Sequence, residues 1–321
     1  MSIDYKAEIE RLKKELPVTV VGHFYQRDEV FEMADIIGDS LELARKCKVD
    51  DNPWVVFCGV GFMGQSVKVI APEKRVLMPK IACCAMARMI DSSYFDDSVN
   101  YMVERGIPKE NILPITYINS DATVKAKVGE MGGMVCTSSN AYKIIEKGLE
   151  SGKKILFVPD RCLGQNFANS MGLKSCVIGQ GECDPKEADI ICFDGFCSVH
   201  QLFTLDDIEF YRNKFPDIKI AVHPECDPKI VDASDFAGST PEQKVAVGTE
   251  YNLVNRMRPN GNTFVLSSTK PECPTMNETT LEDLYLTLKS IEDNKPINEI
   301  VVDPHTVKYA NLALERMLAI K

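Results

Sequence analysis

The strongest constraint on this chain is a recurrence. A short run rich in Val and Ile, a polar or glycine-bearing turn and a helical pattern follow one another from end to end. The runs fall at 18–21, 54–58, 75–78, 112–117, 134–137, 154–158, 189–193, 218–222 and 263–266. They are continuous rather than alternating, which predicts parallel strands buried on both faces, an α/β protein. With 321 residues and no long linker, nine strands suit three compact subdomains with sheets of three or four strands each, not one large sheet. The soft boundaries lie near 85 and 172, giving 1–85 plus 271–321, 86–171 and 172–270, with the last segment returning to the first subdomain. That segment carries a capping-box pattern, Thr279 to Glu282, an apolar stripe of Leu281, Leu284, Leu288 and Ile291, and Pro304 to open a final helix.

Charge and cysteine content narrow the function. A net charge of -10 argues against a phosphate-backbone binder, so nucleic acid is not an expected partner. Residues 1–16 read as an amphipathic helix through Ile9, Leu12 and Leu16, not as a secretory leader, and no apolar run reaches membrane-spanning length. The expected location is therefore the cytoplasm, away from any membrane. There, twelve cysteines should mostly be thiols, which favours metal or catalytic use over a disulfide framework. No CxxC occurs; the closest groupings are Cys83 with Cys84, Cys192 with Cys197, and Cys176 with Cys183. A metal site must draw its ligands from distant segments.

Polar chemistry collects after strand after strand: HFYQ at 23–26, YINS at 117–120, CTSSNA at 136–141, PDRCLG at 159–164, GFCSVH at 195–200 and HPEC at 223–226. Ligands of open α/β sheets bind at the carboxyl ends of strands, so these segments are candidates for one cavity. Loop and cap preference alone explains some of them, PDRCLG included. It does not explain why three of the four histidines, His23, His200 and His223, sit there. In GFCSVH a thiol and an imidazole stand three residues apart, fit to ligate a metal or act as nucleophile and base; the plainer reading is a buried Cys197 and a helix-start His200. Gly59, Gly61 and Gly64 form a literal GxGxxG after a strand, which would suit an NAD(P)-dependent oxidoreductase. The acid that should follow at the end of the next strand is missing, since that strand ends Met78, Pro79, Lys80.

Taken in order, these motifs resemble the quinolinate synthase family over nearly the whole chain. The resemblance rests on HFYQ, GDS (38–40), FCGVGFM (57–63), the AxCxMA form at 82–87, TYINSDATVKA (116–126), CTSSNA, PDRCLG, GFCSVH, HPEC, GST (238–240), VGTE (247–250), CPTM (273–276) and ERML (315–318). It implies three α/β/α three-layer subdomains in a pseudo-threefold arrangement around a central cavity. It also implies a 4Fe-4S cluster held by Cys84, Cys197 and Cys273, with one iron left open as a Lewis acid. Cys83 rivals Cys84, and the register of Met86 and Ala87 favours the latter. The implied reaction condenses iminoaspartate with dihydroxyacetone phosphate to quinolinate, releasing phosphate and water. His23, Tyr25, His223 and Glu225 are the implied proton-moving groups. Ser40, Tyr117, Asn119, Thr137, Ser138 and Thr240 are implied donors to carboxylate and phosphate oxygens, joined in substrate binding by His23, His223 and Glu225. N-capping is the plainer reading of Ser40, Ser138 and Thr240. A functional link to an iminoaspartate-producing enzyme is implied as well. Gln65 departs from the acid expected after FCGVxFM, Gly61 falls at a variable family position, and GEMGG at 129–133 differs in loop length. A non-catalytic iron-sulfur carrier is the other reading that the cysteine content allows.

Overall fold

The computed structural model describes residues 3–235 and 243–320. The chain forms two compact units: Met1–Ser92, Ile118–Thr137 and Pro274–Lys321 make unit one, and Ser93–Tyr117 with Ser138–Cys273 make unit two. The described strands are β1 (Val18–His23), β2 (Ile36–Gly38), β3 (Trp54–Cys58), β4 (Arg75–Leu77), β5 (Ile112–Tyr117) and β6 (Met134–Cys136). They continue with β7 (Lys154–Val158), β8 (Ser175–Val177), β9 (Ile190–Cys192), β10 (Lys219–Val222), β11 (Val245–Gly248) and β12 (Thr263–Val265).

The fold is α/β with three parallel sheets. Unit one holds the order β2-β1-β3-β4, with His23 opposite Gly38 and Val20 opposite Val56. Unit two holds β5-β7-β9-β8 and, separately, β10-β11-β12. All nine expected runs form strands. Three further strands, β2, β8 and β11, lie outside the expected runs.

The core of unit one joins the chain's two ends. Ile9 and Leu12 of the helix Tyr5–Glu15 pack with Val18, Val20 and Val56 and with Leu284, Leu288 and Ile291 of the helix Leu281–Glu292. Each such side chain contributes about 1.5–3 kcal/mol on full burial. The capping box of that last helix is Thr280 with Asp283, one residue beyond the expected Thr279 and Glu282; Thr280 Oγ1 accepts from Asp283 N and Asp283 Oδ2 accepts from Thr280 N. Pro304 opens the helix Pro304–Ala319 as expected. Gly129, read as loop, lies in the helix Ala122–Glu130 instead. A Cβ there would come 1.9 Å from Tyr309 O, so its bareness lets two helices touch backbone to backbone. Ten cysteines are free; Cys176 and Cys183 form one local disulfide, not a framework.

One backbone fixture occurs twice. After β1, Tyr25 N donates to His23 Nδ1, Gln26 N to His23 O, Asp35 N to Val20 O, and Val20 N to Asp35 Oδ2. After β10, Glu225 N donates to His223 Nδ1, Cys226 N to His223 O, Asp235 N to Ile220 O, and Ile220 N to Asp235 Oδ2.

Candidate active site

In unit two, the turns that follow β9, β10 and β11 converge with the end of β5. His200 Nδ1 lies 3.2 Å from Glu225 Oε2, and its Nε2 lies 3.1 Å from Thr249 Oγ1. A carboxylate only accepts, so Nδ1 carries the proton and, in the neutral ring, Nε2 accepts from Thr249. Tyr117 donates its hydroxyl to Glu225 Oε1 at 2.7 Å. The His223 ring stacks on His200 at 4.5 Å, and its Nδ1 accepts from Glu225 N at 3.3 Å, which leaves Nε2 to carry the proton of the neutral ring.

The electrostatics follow from burial. Desolvation, reinforced by the His200 ring and opposed by Glu225, pushes His223 down to about 4. Burial pushes the Glu225 carboxyl up, but the His200 and His223 rings and the bonds from His200 and Tyr117 outweigh it, and the carboxyl ends below its usual range. Once His223 is neutral, the anion rests on the hydrogen bonds from His200 and Tyr117. Asp160 behaves oppositely: burial first, and then the Glu225 charge, raise it well above a usual carboxyl. Its Oδ1 accepts from Leu163 N at 2.7 Å, while Oδ2 has no hydrogen-bond partner among the described residues. Two carboxyls pushed in opposite directions therefore share the buried region.

Local structure aims these groups. Asn166, on the helix Arg161–Ser170, donates through Nδ2 to Pro224 O and Cys226 O, both at 2.8 Å, and so straps the turn that carries Glu225. Gly195 N donates to Pro159 O and Arg161 N to Gly195 O; a Cβ at Gly195 would stand 2.4 Å from Pro159 O. The PDRCLG turn, which reads in sequence as a loop former, is thus the seat of the turn bearing Cys197 and His200. Ligand atoms of Cys197, His200 and Glu225 lie within 4.8 Å of one another, the one described group of this kind that could hold a metal ion. Cys273 is half-buried, and its N–H donates to Glu250 Oε1 at 3.3 Å. Glu250 caps the helix Tyr251–Met257; burial pushes it up to about 7 against the N–H donors of Cys273, Leu253 and Asn252. Ser138 is half-buried, and the cap of the helix Ala141–Leu149 is Asn140. Thr240 lies outside the described residues.

Unit one carries the remaining expected residues. His23 is buried at the end of β1, and Tyr25 meets its ring edge to face at 4.9 Å. Ser40 is buried as the first residue of the helix Ser40–Val49; Asp39, not Ser40, is the cap. Ile118 N donates to Cys136 O, which brings the following residues, Asn119 and Thr137, to one end of β6. Cys84 is half-buried and Cys83 exposed. The glycine triplet is a packing feature. A Cβ at Gly59 would meet the Phe57 ring at 2.6 Å, one at Gly64 would meet Met78 Sδ at 2.8 Å, and Gly61 N already donates to Ala82 O. That last bond occupies an N–H that a pyrophosphate would need.

His200, Thr249 and Asp160 are absent from the set that the family resemblance implies. The available signals were VH at 199–200 and VGTE at 247–250; Asp160 was hidden because it is also an ordinary helix cap. No helix among the described residues is long and apolar enough to cross a membrane.

Three parallel sheets carry, in unit two, a buried His–Glu–Tyr network with a half-buried thiol beside it, a site of an α/β enzyme that could hold a metal ion. The model of one family, NadA, Quinolinate synthetase A protein, matches residues 7–319, and the chain belongs to that family. It is 52% identical over 330 residues to the quinolinate synthase of Helicobacter pylori (strain ATCC 700392 / 26695), covering 98% of each chain. The quinolinate synthase of Streptomyces coelicolor is 38% identical over 94% of this chain and 84% of its own. That of Haloarcula marismortui is 36% identical over 94% of this chain and 87% of its own.

Proposed function

We propose that this chain condenses iminoaspartate with dihydroxyacetone phosphate to quinolinate, releasing phosphate and two waters, with a 4Fe-4S cluster held by Cys84, Cys197 and Cys273. One observation carries the ligand assignment. Of the ten free cysteines, these three alone are half-buried, while Cys83 is exposed and the other six are buried. Burial pushes the thiols of Cys47 and Cys58 up to about 12 and that of Cys162 to about 11, and raises Cys136, Cys192 and Cys226 as well. A ligand must be a thiolate in a partly enclosed position, so half-burial supports the three residues that motif register implies. When bound, a cluster with three protein thiolates supplies an iron with an open position that acts as a Lewis acid.

The chain's own residues supply the rest. Ionised Glu225 and neutral His223 are a base pair of groups for moving protons at substrate carbons, with His23 and Tyr25 as their counterparts in unit one. Ser40, Asn119, Thr137, Ser138 and Thr240 donate to carboxylate and phosphate oxygens. Tyr117 does so by switching partner: a substrate oxygen that takes its hydroxyl removes a donor from Glu225 and makes that carboxylate more basic. We also assign one subdomain to each sheet. In this assignment the second subdomain runs to β9, which the pairing of β8 with β9 and of β9 with β7 supports. A cytoplasmic location and a functional link to an iminoaspartate-producing enzyme complete the reading.

The test is iron and acid-labile sulfide per chain after purification without oxygen, followed by quinolinate formation. About four of each is expected, as a 4Fe-4S centre requires. Cys84→Ser, Cys197→Ser and Cys273→Ser should each lose the cluster, and Cys83→Ser should keep it. Absence of iron and sulfide after reconstitution would overturn the reading.

A further inference from the structure

Three polar side chains of unit one, unused by the roles above, meet behind the turn 118–121. Gln65, on the helix Gly61–Ile70, donates through Nε2 to Asp121 Oδ2 at 2.7 Å and accepts at Oε1 from Ala122 N at 3.0 Å. Asp121 caps the helix Ala122–Glu130, taking Thr123 N at 2.9 Å and Thr123 Oγ1 at 2.8 Å on its other oxygen. From that helix, fully buried Lys125 reaches back and donates through Nζ to Ser120 O, with the Phe62 ring centre 5.3 Å away. The helix is itself anchored on its far side, where Gly129 meets Tyr309 and Arg316 donates to Gly129 O and Gly133 O.

We propose that Gln65 and Lys125 are positioning residues for substrate binding: by gripping Asp121 and Ser120 they fix the direction of Asn119. This rests on the reading of Asn119 as a substrate donor. The half-buried Asn119 side chain has no hydrogen bond to another described residue, so its aim is set by the backbone at 118 and 120. Both neighbours of that backbone are tied: Ile118 N to Cys136 O, and Ser120 O to Lys125. The glutamine that replaces an expected acid is explained by the same geometry. An amide serves Asp121 as donor and Ala122 as acceptor at once; a glutamate would keep the second bond and set two carboxylates against each other where Gln65 and Asp121 now meet at 2.7 Å. Burial pushes the Lys125 amine down to about 7, against the pull of Asp121, which fits a group retained for the bond it makes rather than for its charge.

The experiment compares Q65E, N119A and the pair Q65E/D121N as cluster-loaded enzyme. Q65E should raise the KM of whichever substrate N119A affects by ~tenfold, the scale of one lost charge-assisted bond. Its kcat should stay within about threefold and its iron content should not change, since neither Gln65 nor Asp121 is a proposed cluster ligand or proton-moving group. In the pair, the asparagine amide can donate to the new glutamate, and KM should return to within about threefold of the parent. If Q65E does not accumulate folded, Q65M removes both bonds without adding charge and should give the same rise. An unchanged KM in Q65E beside a raised KM in N119A overturns the positioning role alone. An unchanged KM in N119A overturns the reading of Asn119, and the proposal with it. A fall in kcat or iron content in Q65E that the pair does not restore would make Gln65 a purely structural residue.

Discussion

The bond between Tyr117 and Glu225 can be tested by a double-mutant cycle. Tyr117→Phe removes the 2.7 Å hydroxyl donor from Glu225 Oε1, and no other described side chain replaces it, since His223 Nδ1 stands 3.6 Å away and already accepts a backbone N–H. Glu225 is 2% exposed, so the orphaned oxygen gains little water. A hydrogen bond to a buried charge contributes about 1.5–3 kcal/mol, while the neutral bond left in Glu225→Gln contributes roughly 1 kcal/mol. The cycle of Tyr117→Phe, Glu225→Gln and the double variant should therefore return a coupling of about 1–2 kcal/mol. Tyr117→Phe alone should lower the melting temperature of anaerobic protein by about 4–8 °C, on the scale of a unit of this size. The loss also has a pH signature. Glu225 is held below its unfolded value, so its contribution is whole above about pH 4.5 and fades as the pH falls through the folded value. Weaker depression in the variant means that the gap to the parent closes in acid. A coupling under about 0.5 kcal/mol, the noise of additivity, would refute the argument that Tyr117 holds the anion in place.

Other outcomes follow from the same geometry. Gly129→Ala should destabilise unit one by about 3 kcal/mol, because the new Cβ lands on a backbone oxygen that cannot turn aside; an unchanged melting temperature would mean that the two helices do not touch. Asn166→Asp should harm stability more than Asn166→Ala, since it faces a carboxylate toward two carbonyl oxygens that now accept an amide, and urea midpoints would rank the two. His223 is pushed down to about 4 by burial ahead of the His200 ring, so its contribution is whole above its unfolded value of about 6.5 and is lost as the pH falls toward the folded one. Because 17% of the side chain stays exposed, the parent should lead His223→Gln by only about 1–2 kcal/mol at pH 7.5, and that lead should shrink by pH 5. A lead that grows in acid would reverse the assignment.

The layers of this protein were legible because parallel strands buried on both faces must be continuously apolar, and the nine runs are. What escaped depended on distant partners. β2, β8 and β11 are held by neighbouring strands rather than by their own composition. Ser40 and Ser138 look like caps, yet Asp39 and Asn140 occupy the cap positions beside them. The disulfide partners Cys176 and Cys183 stand seven residues apart, and that spacing alone does not distinguish a bridge from two thiols. Within the site, His200 was visible as a residue but not as a partner: its bonds go to Glu225 and Thr249, 25 and 49 residues away. Motif order could find residues that bear chemistry, and only tertiary contact could say which of them share a proton.

The fixture that recurs after β1 and β10 has a consequence for how chemistry is distributed along the chain. Its bonds run through backbone groups, a histidine nitrogen and an aspartate, His23 with Asp35 in one case and His223 with Asp235 in the other. Within the fixture, the residue two past the histidine lends only its backbone N–H, so this wiring places no demand on its side chain. That position holds a phenol, Tyr25, in one mount and a carboxylate, Glu225, in the other. The mount is thus a common socket: the same wiring seats a phenol in one place and a carboxylate in the other, each beside an imidazole whose Nδ1 is held by a backbone N–H.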